Sequence, residues 1–266
     1  MINISNSFAG IYTLEQLADG DTIIHRLNPI IKLITTFIYI VMVVSFNRYD
    51  LNGLIPYLFY PFIVMALSEV PYHHLLKRLI LALPFSLLAG ISNIIFDTET
   101  AFLVGGIGIS FGLISFLTII LKTYLTVMAV LILVATTSMQ NLSAQMVRLK
   151  VPAALVMQIT MTYRYIGILI NEAATMFTAY LLRSPKQKGI RIHHMGSFIG
   201  QLLLRSIDRA ERIYYAMKCR GFQGAVGYLQ RQELTITDYV YGLMVCSISV
   251  IFRFVNVVGL LGKLFL

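Results

Sequence analysis

Residues 100–147 read TAFLVGGIGISFGLISFLTIILKTYLTVMAVLILVATTSMQNLSAQMV, and the number of times this stretch crosses a bilayer decides the topology of the chain. It holds 22 uncharged residues from Thr100 to Leu121 and 25 more from Thr123 to Val147, separated by Lys122 alone. Length and apolarity by themselves allow two crossings, since about 20 apolar residues span roughly 30 Å of hydrocarbon as a helix. Parity allows only one. Lys77 and Arg78 place the loop before residue 79 inside, and Asp97 and Glu99 follow the next hydrophobic stretch, hence outside. Two further crossings would deliver the strongly basic segment that follows to the outside. Gly105, Gly106, Gly108 and Gly112 also cluster in the first half, where each glycine weakens a helix by about 1 kcal/mol relative to alanine. The expectation is a loop or short re-entrant piece to about Ser110, then one long tilted helix to about Ser138.

Outward from this stretch the chain has the composition of a protein dissolved in lipid. Of 266 residues, 58% are apolar and only 12% charged, about half the charged share of a soluble domain. Mean hydropathy is +0.78. Hydrophobic stretches at residues 30–46, 51–68, 79–96 and 239–252 supply further spans, and Pro56, Pro61 and Pro84 inside them predict kinks tolerated where neighbouring helices satisfy freed carbonyls. The first 28 residues show no basic region followed by a short apolar core, and read as lacking a cleavable signal peptide. Cys219 and Cys246 lie far apart in dissimilar surroundings, which excludes a disulfide framework or zinc module.

The net charge of +9 belongs to one segment. Residues 141–233 carry 13 Lys and Arg against 4 acids, and the remainder of the chain is balanced. A basic segment between hydrophobic stretches is expected in the cytoplasm, where it also favours anionic headgroups. Its pattern is amphipathic. Ile166, Leu169, Ala173, Phe177 and Tyr180 share one helical stripe, while Arg164, Asn171, Thr175 and Thr178 share another. Pro185 predicts an end near Arg183, followed by a turn at residues 186–189. A second helix is expected from about Met195 to Arg220, with Ile199, Leu203, Ile207, Ala210, Tyr214 and Met217 on one stripe and Arg205, Arg209 and Arg212 on another. Gly221 is its stop signal, and Asp208 can pair with Arg212. Arg253 is expected near the far interface of the last span.

Several chemistries are missing. There is no phosphate-binding G-x-x-x-x-G-K-[ST], no H-E-x-x-H and no G-x-S-x-G. The adjacent pairs His73-His74 and His193-His194 point about 100° apart on a helix and flank basic residues, which reads as interfacial histidine rather than metal ligand. Glu172-Ala173-Ala174 superficially resembles the coupling signature of ordinary ABC permeases, but three common helix residues carry no weight. What stands out is a pair of helix ends: Leu182-Arg183-Ser184 and Cys219-Arg220-Gly221, 37 residues apart. A guanidinium at a helix C-terminus complements the dipole, and its planar fork suits bidentate recognition of carboxylates on another protein.

The run Leu182-Arg183-Ser184-Pro185, then residues 196–205, then Ser206-Ile207-Asp208-Arg209-Ala210-Glu211-Arg212-Ile213-Tyr214 and Cys219-Arg220-Gly221-Phe222, resembles the CbiQ type of transmembrane component of energy-coupling factor transporters. His25-Arg26-Leu27-Asn28-Pro29 with Lys32, Val151-Pro152 and Tyr163-Arg164-Tyr165 add to the resemblance, which covers about residues 25–225. It implies an ATP-driven uptake complex in which this subunit joins two cytoplasmic P-loop ATPase subunits to a small substrate-binding membrane protein. It also implies that Arg183 and Arg220 sit at the tips of coupling helices docked in grooves on the ATPases. The usual signatures are Ala-Arg-Ser and Ala-Arg-Gly; Leu182 and Cys219 replace the leading alanines, which changes the flanking fit and keeps the arginines.

The expected fold is therefore an all-α integral membrane protein with about five transmembrane helices. Residues 1–139 would form a membrane domain of four spans, residues 140–233 a cytoplasmic coupling-helix domain, and residues 234–266 a final span. The expected protein is a non-catalytic subunit in a prokaryotic cell membrane. It has no cofactor, no metal site and no nucleic-acid partner. The resemblance gives cobalt as cargo, with nickel or a vitamin as alternatives. A membrane-embedded lipid-modifying enzyme is the rival reading, but Asp208 and Glu211 lie among arginines that neutralise them rather than leave them free for Mg²⁺. A self-contained carrier would need ionisable residues within several spans.

Overall fold

Asn28 and Pro29 open the first long helix of the chain, as seen in a computed structural model that describes residues 17–18, 20–97, 100–104, 107–184, 189–222 and 234–254. The Asn28 side chain accepts from the Ile30 N–H at 3.1 Å, and Pro29 lacks the donor that a first-turn residue would leave unpaired. In chain order the elements are α1 (Ile23–Arg26), α2 (Pro29–Val44), a 3₁₀ turn (Ile55–Leu58), α3 (Phe59–Ser68), α4 (Tyr72–Phe96), β1 (Thr100–Val104), β2 (Ile107–Ser110) and α5 (Phe111–Thr136). There follow α6 (Met139–Met146), a 3₁₀ turn (Val147–Leu149), α7 (Ala153–Arg183), α8 (Ile192–Cys219) and α9 (Ile236–Phe254). The described residues divide into two compact units, one within Gln16–Ser138 and Gln232–Leu266, the other within Met139–Arg231.

The all-α class holds, with one local exception. Where a loop or re-entrant piece was expected before Ser110, β1 and β2 pair antiparallel, Val104 opposite Ile107 and Thr100 opposite Ser110. In sequence, Gly105-Gly106 separates two runs rich in apolar residues, and such a dipeptide favours two-residue hairpin connections. Ser110 then caps α5 by accepting from Leu113 N–H, and that helix runs to Thr136, close to the expected end. Residues 98–99 and 105–106, including Glu99, Gly105 and Gly106, lie outside the described residues.

Among the described residues four helices are long and apolar enough to cross a membrane: Tyr72–Phe96, Phe111–Thr136, Ala153–Arg183 and Ile236–Phe254. With α2 and the shorter α3 they make a multi-pass membrane protein. The stretch at residues 51–68 differs from the single kinked span expected. Pro56 starts the 3₁₀ turn and Pro61 sits in the first turn of α3, positions where a missing N–H costs nothing. Pro84, by contrast, lies inside the continuous α4.

The unit within Gln16–Ser138 and Gln232–Leu266 is held by side chains that close their own hydrogen bonds. Tyr39, Val43, Phe46, Leu54, Tyr57, Leu125 and Ala129 form its centre. The Tyr39 hydroxyl donates to the Tyr57 carbonyl at 2.9 Å and the Tyr57 hydroxyl to the Ser249 carbonyl at 2.6 Å, which fastens α9 to the 3₁₀ turn. Small residues let α4 and α5 approach: Gly90 lies under Phe116, Gly112 against the end of α4, and Asn93 Nδ2 donates to Ser115 Oγ at 2.7 Å. At one end of α2, Lys122 Nζ donates to the Val44 and Phe46 carbonyls at 3.2 and 2.5 Å. Arg253, in the last turn of α9, donates to the Ser45 carbonyl at 3.3 Å and stacks on Phe46. Both cations complement the negative end of the α2 dipole.

Candidate functional site

Both arginine-bearing helix ends expected from the sequence are formed. Helix α7 stops at Arg183, with Ser184 N–H donating back to Leu181 O at 3.0 Å; Pro185 and the expected turn lie outside the described residues except for Gly189. Helix α8 begins three residues earlier than Met195 and ends at Cys219. There Gly221 takes φ +79°, Gly221 N–H donates to Lys218 O at 3.0 Å and Phe222 N–H to Met217 O at 3.1 Å. That is the six-to-one and five-to-two pairing of a Schellman cap, and it projects Arg220 at the very end of the helix. A Gly221→Ala substitution puts a Cβ on a left-handed residue and is expected to destabilise this cap by about 1 kcal/mol. Circular dichroism of the purified chain during thermal unfolding checks it.

Leu182, Arg183, Cys219, Arg220 and Gly221 are all exposed, and Ser184 is half-buried. The two ends do not converge. Tyr180 meets His194 with ring centroids 6.0 Å apart, and Glu172 meets Arg205 and Arg209, so α7 and α8 run in opposite directions. Arg183 shares a cleft of about 460 Å³ with Tyr180, His194, Ser197, Gln201 and Arg205 near the start of α8. Arg220 lies 26 residues beyond His194, about 40 Å along a continuous helix at 1.5 Å per residue. The two exposed arginines therefore stand at either end of α8.

Glu172, which carried no weight in the sequence reading, holds the two helices together. Its Oε1 accepts from Arg205 Nη1 at 2.6 Å and its Oε2 from Arg209 Nη2 at 3.2 Å, so one carboxylate pins the helix crossing with both oxygens. Among the described residues the ion pairs are these two and Arg48–Asp97, and the expected Asp208–Arg212 pair is not one of them. The signal was available only as an acid with no i, i+4 basic partner on its own helix. A Glu172→Gln substitution is expected to cost about 1 kcal/mol, since the pairs are partly exposed, and to loosen the crossing. Limited proteolysis within α8 reads that loosening.

The apolar stripe of α8 is bare. No residue of this 28-residue helix is buried, and Ile199, Leu203, Ile207 and Tyr214 are about half exposed. The stripe on α7 behaves differently: Leu169, Ala173, Phe177 and Tyr180 are half-buried while Arg164, Asn171, Thr175 and Thr178 face out, and only Ile166 of the expected stripe is exposed, at 41%. The histidines of each adjacent pair stand edge to face, with centroids 6.0 Å apart for His73 and His74 and 5.5 Å for His193 and His194. Among the described residues no group of three or more His, Cys, Asp and Glu side chains gathers.

Several proteins with established names are similar to this chain in sequence. An energy-coupling factor transporter transmembrane protein EcfT from Ruminiclostridium cellulolyticum is 28% identical over 90% of this chain and 94% of its own. Another, from Bacillus subtilis, is 27% identical over 82% and 87%. A cobalt transport protein CbiQ from Rhodobacter capsulatus is 32% identical over 42% and 46%. The family described as CbiQ, cobalt transport protein, matches residues 20–231, a range that contains both arginine-bearing helix ends and the Glu172 pin between them. The chain therefore belongs to the CbiQ cobalt transport protein family.

Proposed function

We propose that this chain is the transmembrane coupling subunit of an ATP-driven uptake transporter of the energy-coupling factor type. The observation that carries the reading is the pair of exposed arginines, Arg183 and Arg220, held about 40 Å apart at opposite ends of one antiparallel helix crossing. Each guanidinium suits a carboxylate-lined groove on one of two cytoplasmic P-loop ATPase subunits, and the alternation of Leu182 and Cys219 beside them sets the flanking fit. ATP-driven movement of the ATPase pair acts on both tips at once. The Glu172 pin keeps the crossing rigid, so the bare stripe of α8, with Ile199, Leu203, Ile207 and Tyr214, tilts whatever membrane protein it holds.

In this reading the helical unit within Met139–Arg231 is cytoplasmic and the other unit lies in the bilayer. Hydropathy does not separate α7 from the spans, because it meets the same length and apolarity measure. Its support is the excess of basic residues around it and the parity of the preceding crossings. The family description, cobalt transport protein, supports cobalt ions as the cargo; in this reading the substrate-binding partner carries them. The relatives matched over more than four fifths of the chain bear a name without a cargo, which favours the same coupling role for nickel or a vitamin as the second reading. The test is a mild-detergent pulldown of the tagged chain from its native membrane, with mass spectrometry and an ATPase assay. P-loop ATPases and a small hydrophobic protein are the expected companions, and the identity of the latter decides the cargo. Repeated recovery of the folded chain alone would overturn the coupling role.

A further inference from the structure

The chain leaves the membrane unit after Ser138 and returns to it at Gln232, and both places are fastened to the start of α2 by buried charges. Lys32, 4% exposed, donates from Nζ to the Thr136 carbonyl at 2.6 Å and to the His25 carbonyl at 3.4 Å. Thr136 is the last residue of α5, so the ammonium sits on the negative end of that helix, two residues before the exit. Asp238, 2% exposed, accepts from Asn28 N–H and Thr235 N–H, each at 2.8 Å. One carboxylate thus holds the start of α9, just after the return, against the start of α2, which is also the positive end of each helix dipole. His25 completes the cluster: one ring nitrogen bonds Thr22 Oγ1 at 2.7 Å and the other the Leu17 carbonyl at 2.9 Å. Lys32 and Asp238 are close enough to attract one another.

An exposed hydrophobic contact would let α5 and α9 slide independently. A buried charge with directed hydrogen bonds does not, because displacing either helix leaves an ion without partners in a medium that offers no water. Gly242 adds to the constraint, since its missing side chain lets α9 approach within 3.2 Å of Ile31 on α2 when measured from an added Cβ.

We propose that Lys32 and Asp238 form a junction clamp that fastens both attachment points of the coupling unit to α2, so that its movement drives α5 and α9 together. They are positioning residues, and the inference rests on the coupling role proposed above. In proteoliposomes containing the complete complex, ATP hydrolysed per substrate transported is measured for wild type, Lys32→Met, Asp238→Asn and the double variant. The wild-type complex tests the underlying reading first, because absence of ATP-driven uptake there defeats the coupling role before any variant is compared. Given active wild type, the expected result is hydrolysis within about twofold of wild type and transport reduced at least tenfold in each variant. Lys32→Arg, which keeps the charge, is expected to recover most of the transport. A hydrolysis-to-transport ratio within twofold of wild type in an assembled Asp238→Asn complex would overturn the proposal. If Lys32→Met fails to assemble, Asp238→Asn decides by the same ratio, since its amide keeps one acceptor and the side-chain shape. If neither assembles, the cluster is a folding requirement only, and the proposal fails as well.

Discussion

Replacing Arg183 and Arg220 together by glutamate is expected to abolish ATP-driven uptake. Each substitution removes a planar five-donor fork and puts a carboxylate where an acidic groove would be, so a lost charge-assisted pair becomes a repulsion. Truncation of an interfacial arginine hot spot costs about 2 kcal/mol or more, and two such sites amount to roughly a thousandfold in occupancy of the assembled complex. The two tips lie at opposite ends of α8, so the single variants carry separate information. Arg183→Glu and Arg220→Glu are each expected to release the ATPase on one side while pulldown still recovers the other. Transport is expected to fall at least tenfold in either, because a lever held at one end does no work. Unimpaired uptake by the double variant would sink the coupling role outright. Lysine at either position tests the geometry, since it restores charge without the fork.

The second large effect lies far from the arginines. A Cβ at Gly112 would stand 2.7 Å from both the Asn93 and Asp97 carbonyl oxygens and 3.0 Å from Ile94 Cα, all backbone atoms that cannot rotate away. The Gly112 N–H also donates to the Asp97 carbonyl at 3.1 Å, so the first turn of α5 is seated on the last turn of α4. Gly112→Val is expected to drive the two helices apart, break the Asn93–Ser115 hydrogen bond and cost about 3 kcal/mol. Thermal unfolding of the detergent-solubilised chain measures it. Gly200→Ala supplies the contrast: nothing lies within 4 Å of its added Cβ, so the substitution is expected to stabilise α8 by about 0.5–1 kcal/mol through helix propensity. Equal behaviour of the two variants would mean that α4 and α5 do not pack as described.

The same glycine shows where sequence reading reaches its limit. In sequence, Gly112 belongs to a cluster that weakens a helix, and that reading places the start of α5 correctly near Ser110. Its actual work is to allow contact between two backbones, which no property of neighbouring residues encodes. Glu172 is a parallel case: its surroundings resemble a common helix segment, and its partners Arg205 and Arg209 lie 33 and 37 positions away.

Sequence alone determined the medium, the class and several of the helix ends, because each of these is decided by residues close together in the chain. Apolar runs of about 20 residues require a bilayer, Asn28-Pro29 starts a helix, and Gly221 stops one by adopting the left-handed conformation that other residues resist. Pro185 and Gly221 also place Arg183 and Arg220 at helix ends. Tertiary structure decided that these arginines face two separate points rather than one, since only the antiparallel contact of α7 and α8 sets that distance. It also decided that Asp238 holds Asn28 across 210 positions and that Lys32 holds Thr136 across 104. Such pairs leave no periodicity to read, and burial away from water is what makes them obligatory.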